Sequence, residues 1–177
     1  MADLDFWSFT SRAKRRIEDK LENTDADPSH LALWLNRASG IVTYATETTI
    51  HRPNGLSWAT FRALFVIWVC EEIEQSKLAE LTNSSRATTS NVVKSLLARE
   101  LINRHPSQAD GRTSLLTLTE KGSELATLAY REQNRLLEQW SSVLTDDEQR
   151  TLMELLEKLM NRRDVFRHRD GFSPAAK

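Results

Sequence analysis

A single cysteine among 177 residues excludes an internal disulfide framework and a metal site built from several thiolates. Residues that interrupt regular structure are few, with five glycines and four prolines, so the chain is expected to form long regular elements. The 24 lysines and arginines nearly balance the 25 aspartates and glutamates, which gives a net charge of -1. Net charge therefore gives no reason to expect a polyanionic partner, and any such partner must be recognised through a local excess of positive charge.

Long hydrophobic runs are missing as well. The longest run, ALFVIWVC at residues 63–70, is too short to span a bilayer and predicts a buried helix. The N-terminal residues contain no apolar segment of signal-peptide length. These features predict a cytoplasmic protein without a membrane partner. With 40% hydrophobic and 28% charged residues, we expect one compact domain with an extension.

The spacing of apolar residues predicts a mainly helical chain. Helices are expected over residues 5–22, 28–51, 58–70, 77–81 and 86–99, with residues 71–74 as a short connector. Two further helices follow, one beginning after Thr119 and one after Thr145. Several of these starts carry residues that cap helices well, namely Ser57, either Ser84 or Ser85, Thr119, and a Thr145–Glu148 capping box.

Two short strands are predicted at residues 101–105 and 114–118. The run PSQADG between them is typical of a loop, because Gly111 adopts a positive φ at low cost. The strands are expected to form a β-hairpin whose polar tip carries Asp110 and Arg112. The predicted fold class is therefore mainly α (α+β).

A short helix, a polar turn, a second helix and a β-hairpin follow one another in the order of a winged helix-turn-helix, whose second helix enters the major groove of DNA. In the run SSRATTSNVVKSLLARE, Val92, Val93, Leu96 and Leu97 can anchor that helix on the domain. Hydroxyl, amide and cationic side chains remain for base edges and phosphates, and the candidate DNA-binding residues are Ser85, Arg86, Ala87, Thr88, Ser90, Asn91 and Lys94. The alternative is an ordinary solvated helix face.

A local excess of positive charge near the hairpin also favours DNA binding. From Arg86 to Arg112 there are five basic and two acidic residues. A guanidinium at the tip can enter a narrow minor groove, where negative potential is enhanced, so Arg112 is a further DNA-binding candidate. Asp110 is expected to pair with Arg112 and orient it. On spacing alone, a surface ion pair in a loop explains these two residues equally well.

The segments LAELTNSSRATTSNVVKSLLARELINR (residues 78–104) and DGRTSLLTLTEKG (residues 110–122) resemble the helix-turn-helix and wing of the MarR family of bacterial transcriptional regulators. The resemblance implies a homodimer with interlocked terminal helices, bound to a palindromic operator in double-stranded DNA. It further implies that a small molecule, often aromatic or phenolic, releases the DNA. Two features depart from the family. Glu100 stands where glycine is common, so its turn is expected to close differently, and residues 1–27 form a longer N-terminal arm.

The predicted organisation combines these elements with the resemblance. Residues 1–27 are a helical arm, 28–56 and 123–170 a helical dimerisation region, 57–122 the winged helix-turn-helix domain, and 171–177 a flexible tail. The arm either adds to the dimer contact or brings its RAKRR cluster to phosphates, and the sequence favours neither.

A ligand pocket is expected among aromatic residues of the second and third helices. Such residues usually form core, but ligand sites are also apolar with a few polar groups. The candidate ligand-binding residues are Trp34, Tyr44, His51, Trp58, Phe61 and Phe65. Two other functions remain open: a winged-helix module that binds protein but no DNA, and a redox-sensing regulator that uses Cys70.

The sequence gives little support for redox sensing, metal binding or catalysis. Cys70 ends an apolar helix and is expected to be a buried, inert thiol. A redox sensor needs an exposed thiolate, which Glu71 and Glu72 would disfavour. The four histidines lack metal-ligand spacing, so no metal and no cofactor is expected. No nucleophile motif, phosphate-binding glycine loop or carboxylate pair indicates an enzyme.

Overall fold

The structure is a computed structural model that describes residues 4–106 and 114–162, and the chain divides after Ala45 into two units. The helices are α1 (Phe6–Lys20), α2 (Asp27–Thr46), α3 (Trp58–Cys70), α4 (Gln75–Leu81), α5 (Arg86–Ala98), α6 (Glu120–Ser141) and α7 (Asp146–Asn161). The strands are β1 (Glu72–Glu74), β2 (Ile102–Pro106) and β3 (Ser114–Leu118), and Glu47–His51 is a π-helical segment. The predicted helices and both predicted strands are confirmed.

The N-terminal unit is a pair of helices, α1 and α2. Asp5 caps α1 by accepting a hydrogen bond from the backbone N–H of Ser8 at 2.8 Å, and the hydrogen bonds from Ser8 hold the pKa of this carboxyl below its ordinary value. An ion pair between Lys14 and Asp27 joins α1 to the first turn of α2. Asp27 and Pro28 begin α2, as the sequence predicts.

The core of the C-terminal unit forms where α3, α4, α5, α6 and the sheet meet. Ser57 begins α3 with a capping box, in which its side chain accepts from the backbone N–H of Thr60 and the Thr60 side chain accepts in return. The largest apolar side chains that are at most 1% exposed are Leu64, Ile67, Leu78, Val93, Leu96, Leu101 and Leu116. These side chains fix α4, α5 and the strands relative to α3.

The sheet has three antiparallel strands in the order β1-β3-β2. Leu116 on β3 faces Arg104 on β2 and Ile73 on β1, and it is fully buried. The prediction that residues 71–74 are only a connector is therefore wrong. Three residues are too few to show alternation, and β1 is defined by its pairing with β3, which lies some forty residues further along the chain.

The turn after α5 also differs from expectation. Glu100 has a φ of 57°, the left-handed conformation that glycine adopts most easily, so the prediction that the turn closes differently is wrong. The backbone N–H of Glu100 donates to the carbonyl of Leu97, and that of Leu101 donates to the carbonyl of Leu96, both at 3.0 Å. This is the Schellman arrangement, closed here by a residue that has a Cβ.

Cys70 is exposed, which corrects the prediction of a buried thiol. The buried face of α3 carries Ala63, Leu64 and Ile67, whereas Val69 is 60% exposed. The expected buried helix over residues 63–70 is therefore buried on one face only, because helical periodicity turns residues 69 and 70 away from the core.

The last helix has an apolar face that lies on the surface of the single chain. Thr145 and Glu148 form the predicted capping box, and the Thr145 backbone N–H, at 2.8 Å from the Glu148 carboxylate, lowers the pKa of that carboxyl. No residue of α7 is buried. Its exposed apolar side chains are Leu152, Met153, Leu155, Leu159 and Met160. Over residues 4–106 and 114–162, no helix is both long and apolar enough to cross a membrane.

Candidate nucleic-acid interface

The segment α4–turn–α5 holds two short helices against one another through a polar turn. The Thr82 hydroxyl is buried and donates to the carbonyl of Leu78 at 2.7 Å, which closes the end of α4. Asn83 takes a φ of 49°, a conformation that asparagine tolerates. Ser85 then caps α5 by accepting from the backbone N–H of Thr88 at 3.1 Å. Of the two predicted caps, Ser85 is the one observed.

The first turns of α5 separate a buried face from a polar face. Thr89, Val93 and Leu96, spaced as on one helical face, are buried. The predicted anchors Val92 and Leu97 are partly buried against the same core. The candidate residues Ser85, Arg86, Ala87, Thr88, Asn91 and Lys94 are exposed, and Ser90 is half-buried. The structure therefore brings this part of the predicted site together on one accessible surface.

Positive charge on this surface is available to a partner. Among the described residues, neither Arg86 nor Lys94 has a carboxylate within salt-bridge distance. Two neighbouring arginines are already engaged, since Arg99 donates to the carbonyl of Gly55 and Arg104 to the side chain of Gln75, each at 2.7 Å. A phosphate would therefore find free cations on α5, while Arg99 and Arg104 are occupied by hydrogen bonds within the chain.

The base of the hairpin is described, but its tip is not. β2 and β3 pair from Ile102–Leu118 to Pro106–Ser114. The candidates Asp110 and Arg112 lie outside the described residues. The hairpin base projects from the same unit as α5, because α5 runs directly into β2 through the Glu100 turn.

A cleft of about 990 Å³ lies between β1, α4 and the start of α5. Its charged lining residues are Glu72, Glu74, Lys77, Glu80 and Arg86. Lys77 pairs with Glu80 at 2.8 Å, so this wall presents mainly carboxylates. Sequence reasoning missed this cleft because β1 itself was missed. Because the carboxylates of the cleft repel phosphate, the surface suited to DNA lies on α5 and not on the cleft.

The candidate ligand-binding residues fall into two groups. Trp34 and Tyr44 belong to the N-terminal unit and are 50% and 70% exposed. The other four belong to a stack of rings, the aromatic column, made of His51, Trp58, Phe61, Phe65, Tyr130 and Trp68. Neighbouring centroids in this column lie 4.3 to 6.2 Å apart. Tyr130, on α6, could not be assigned to the column from sequence, because its partner Phe65 is 65 positions away.

His51 is the polar residue of the aromatic column and is fully buried. Its ring centroid lies 4.3 Å from that of Phe61, and its Nε2 is 2.9 Å from the side-chain oxygen of Gln133 on α6. Its Nδ1 is buried and has no hydrogen-bond partner among the described residues. Burial lowers the pKa of His51, so the imidazole is neutral at pH 7 and Nε2–H is the donor to Gln133. The residue ends the π-helical segment, a type of distortion often found at functional sites.

Within residues 4–106 and 114–162, no group of three or more histidine, cysteine, aspartate or glutamate side chains is arranged to hold a metal ion.

Comparison with known proteins identifies relatives of the helix-turn-helix. The sequence model of the MarR family matches residues 56–114, which contain α3, α4, α5 and β2. The chain is 31% identical over 122 residues to the transcriptional repressor MprA of Escherichia coli K12, an alignment that covers 68% of this chain and 69% of MprA.

Solved structures are similar to this chain as well. A probable transcriptional regulator of Pseudomonas aeruginosa is similar with a TM-score of 0.62 and 30% identity, covering 73% of this chain and 96% of that one. Bordetella bronchiseptica BpsR, whose DNA binding is regulated by 6-hydroxynicotinic acid, is similar in fold with a TM-score of 0.67 and 24% identity, covering 74% of this chain and 98% of BpsR.

Proposed function

The chain belongs to the MarR family of transcriptional regulators, and from this premise we propose that it binds a palindromic operator as a homodimer, represses transcription and releases the DNA when a small aromatic or phenolic molecule binds. It is a regulator of gene expression and not an enzyme. We place it in the cytoplasm, where its operator lies.

The observation that carries the proposal is the polar face of α5. Val93 and Leu96 are fully buried, so the helix is fixed to the domain while its opposite face stays accessible. On that face Asn91 offers an amide suited to adenine. Arg86 and Lys94 offer cations that pair with no carboxylate of the described residues. We propose that α5 enters the major groove and that these residues, with Ser85, Ala87, Thr88 and Ser90, form the contact. Asp110 and Arg112 at the hairpin tip are proposed to reach the minor groove.

The dimer is supported by α7. An amphipathic helix with exposed Leu152, Leu155 and Leu159 leaves apolar surface in water that a second copy can cover. A two-fold dimer presents two copies of α5 to half-sites about one helical turn apart. We propose that residues 28–56 and 123–170 make this dimer and that residues 57–122 bind DNA. The predicted tail, residues 171–177, lies outside the described residues.

Ligand control is supported by the aromatic column. Trp58, Phe61 and Phe65 lie on α3, and His51 connects them through Gln133 to α6. A planar ligand that separates these rings would find an acceptor in the Nδ1 of His51, which has no hydrogen-bond partner in residues 4–106 and 114–162. Such a ligand releases DNA only if it prefers a conformation in which α5 is misplaced for the operator. BpsR, regulated by 6-hydroxynicotinic acid, is a structural precedent for an aromatic effector.

The exposure of Cys70 favours redox sensing more than the sequence suggests. Exposure alone does not make a thiol a redox sensor, so ligand control remains our proposal.

The proposal is tested by measuring fluorescence anisotropy of a labelled duplex from the protein's own promoter, at fixed salt, against a scrambled duplex of equal length. We expect at least a thousandfold preference for the promoter. Equal, weak binding to both duplexes would contradict a specific regulator and leave the protein-binding module as the better account.

A further inference from the structure

Arg62 on α3 is a cation outside the residues that the sequence predicts to bind DNA. It is half-buried, and its Nη2 lies 3.4 Å from the hydroxyl oxygen of Ser84, in the turn before α5. We propose that Arg62 binds a backbone phosphate of the DNA beside the start of α5. This inference rests on the proposed function, because it adds a phosphate contact to the same interface.

The hydrogen bonding of Arg62 is incomplete within the described residues. A guanidinium carries five N–H donors. Among the described residues, Arg62 makes one hydrogen bond, to Ser84, and 3.4 Å is long compared with the usual length of about 2.9 Å. Its Nε is buried and has no hydrogen-bond partner in residues 4–106 and 114–162. Since buried donors are nearly always paired, this side chain is suited to an acceptor from outside the domain.

The charge of Arg62 is also unpaired in the described part of the chain. No carboxylate there lies within salt-bridge distance of its guanidinium. Ser84 also borders the carboxylate-lined cleft, where Glu80 is already paired with Lys77. A cation that is partly withdrawn from water without a counterion is suited to a phosphate, whose oxygens accept from two guanidinium N–H groups at once.

The hydrogen bond to Ser84 places Arg62 beside the helix that is proposed to enter the major groove. Ser84 directly precedes Ser85, the N-cap of α5, and Arg86 is the first residue of that helix. The Ser84 hydroxyl donates to the carbonyl of Thr82 at 3.2 Å, which orients it as an acceptor for Arg62. Positive charge therefore reaches this turn from α3 as well as from α5. Such phosphate contacts fix the register of a protein on DNA without reading its sequence.

Trp58 holds the guanidinium in place. The guanidinium carbon lies over the Trp58 ring, 5.7 Å from its centre, which is within the range of a cation–π contact. A guanidinium over an aromatic face keeps the N–H donors at its edge available. The side chain is therefore ordered before DNA binds, and less conformational entropy is lost on binding.

Arg62→Gln, which keeps a donor for Ser84 but removes the charge, tests the inference. The readout is fluorescence anisotropy of the promoter and scrambled duplexes over a range of salt concentrations. Loss of one phosphate contact in each copy of the dimer should lower the slope of log affinity against log salt by about 1.8 for both duplexes. Both affinities should fall together, by about tenfold, so that the preference for the promoter is kept.

Two matched variants isolate the charge of Arg62. Arg62→Lys keeps the charge and should keep the salt slope. Arg150→Gln removes a cation on α7 that is paired with Asp147, and it should keep the wild-type affinity and slope.

An unchanged slope in an Arg62→Gln protein that still binds DNA would overturn the inference. A lost preference for the promoter at an unchanged slope would show that Arg62 only positions the turn, and would overturn it too. Equal binding of both duplexes by the wild-type protein would contradict the proposed function, while the slope in Arg62→Gln would still decide the role of Arg62. A wild-type protein that binds no DNA would overturn both.

Footprinting of the wild-type protein with phenylglyoxal, which modifies accessible arginines, gives a result that does not depend on the folding of a variant. We expect Arg62 to be modified in the free protein and protected by the duplex, whereas Arg150 is modified equally in both states. Equal modification of Arg62 with and without the duplex would overturn the inference. No modification of Arg62 in the free protein would overturn it as well, because a phosphate could not reach the guanidinium.

Discussion

A Cβ atom added to Gly122 would lie 1.9 Å from the backbone carbonyl oxygen of Leu101. The first turn of α6 therefore packs directly on the turn that follows α5, and the same oxygen accepts a hydrogen bond from the backbone N–H of Thr119 at 3.1 Å. The glycine of the LTEKG segment is thus required by close backbone approach, which ties α6 to the DNA-binding part of the chain.

Gly122→Ala is expected to destabilise the protein by about 2–3 kcal/mol, because the neighbouring atoms are backbone and cannot move aside like a side chain. Chemical denaturation measures the change. Gly40→Ala is the matched control, since a Cβ there meets nothing within 4 Å. The control should lose no stability, and equal losses in the two variants would contradict the steric account.

Glu100→Gly is expected to stabilise the fold by about 0.5–1 kcal/mol, since glycine relieves the left-handed strain by more than it loses in chain entropy. Glu100→Ala removes the carboxylate but keeps the Cβ and should give no such gain. Thermal unfolding distinguishes the two. A gain of equal size in both variants would assign the effect to charge.

Stability is expected to fall as pH drops below about 6.5, partly because of His51. Burial lowers its folded-state pKa below the unfolded value of 6.5, so the unfolded chain takes up the proton first. The loss begins near pH 6.5 and ends at the folded-state pKa. In His51→Phe, which keeps an aromatic ring, this part of the pH dependence should vanish. An NMR titration in which His51 protonates at or above pH 6.5 would refute the prediction.

Arg112→Ala is expected to weaken operator binding without lowering the stability of the dimer, since a guanidinium in the minor groove contributes to DNA affinity and not to the core. Mobility-shift titration at fixed salt measures this. Arg150→Ala, which removes a cation paired with Asp147 on α7, is the control and should bind normally. Unchanged affinity in Arg112→Ala would remove the tip from the interface.

Local signals in the sequence were sufficient for the helices and the hairpin strands. Ser57, Ser85, Thr119 and Thr145 each cap a helix, because N-cap chemistry involves only the next three residues. β3 was predicted at residues 114–118 and is observed there.

Features that depend on distant partners were not predictable. β1 exists through pairing with β3, and the aromatic column requires Tyr130 and Gln133 on α6 to meet α3 and His51. The burial of Cys70 was predicted wrongly, because an apolar run indicates a buried helix but does not show which of its residues face solvent. At the candidate interface, the polar face of α5 followed from periodicity. The hydrogen bonds of Arg99 to Gly55 and of Arg104 to Gln75 did not.

The most direct test of the central claim, that α5 reads the operator, is anisotropy measured over a range of salt concentrations for Asn91→Ala and Lys94→Ala. Lys77→Ala is the control, since Lys77 pairs with Glu80 on α4. Loss of one phosphate contact in each copy should reduce the slope of log affinity against log salt by about 1.8 in Lys94→Ala. Asn91→Ala should lose about 1–3 kcal/mol of discrimination at one base position per half-site. Wild-type affinity, slope and specificity in both variants would contradict the account.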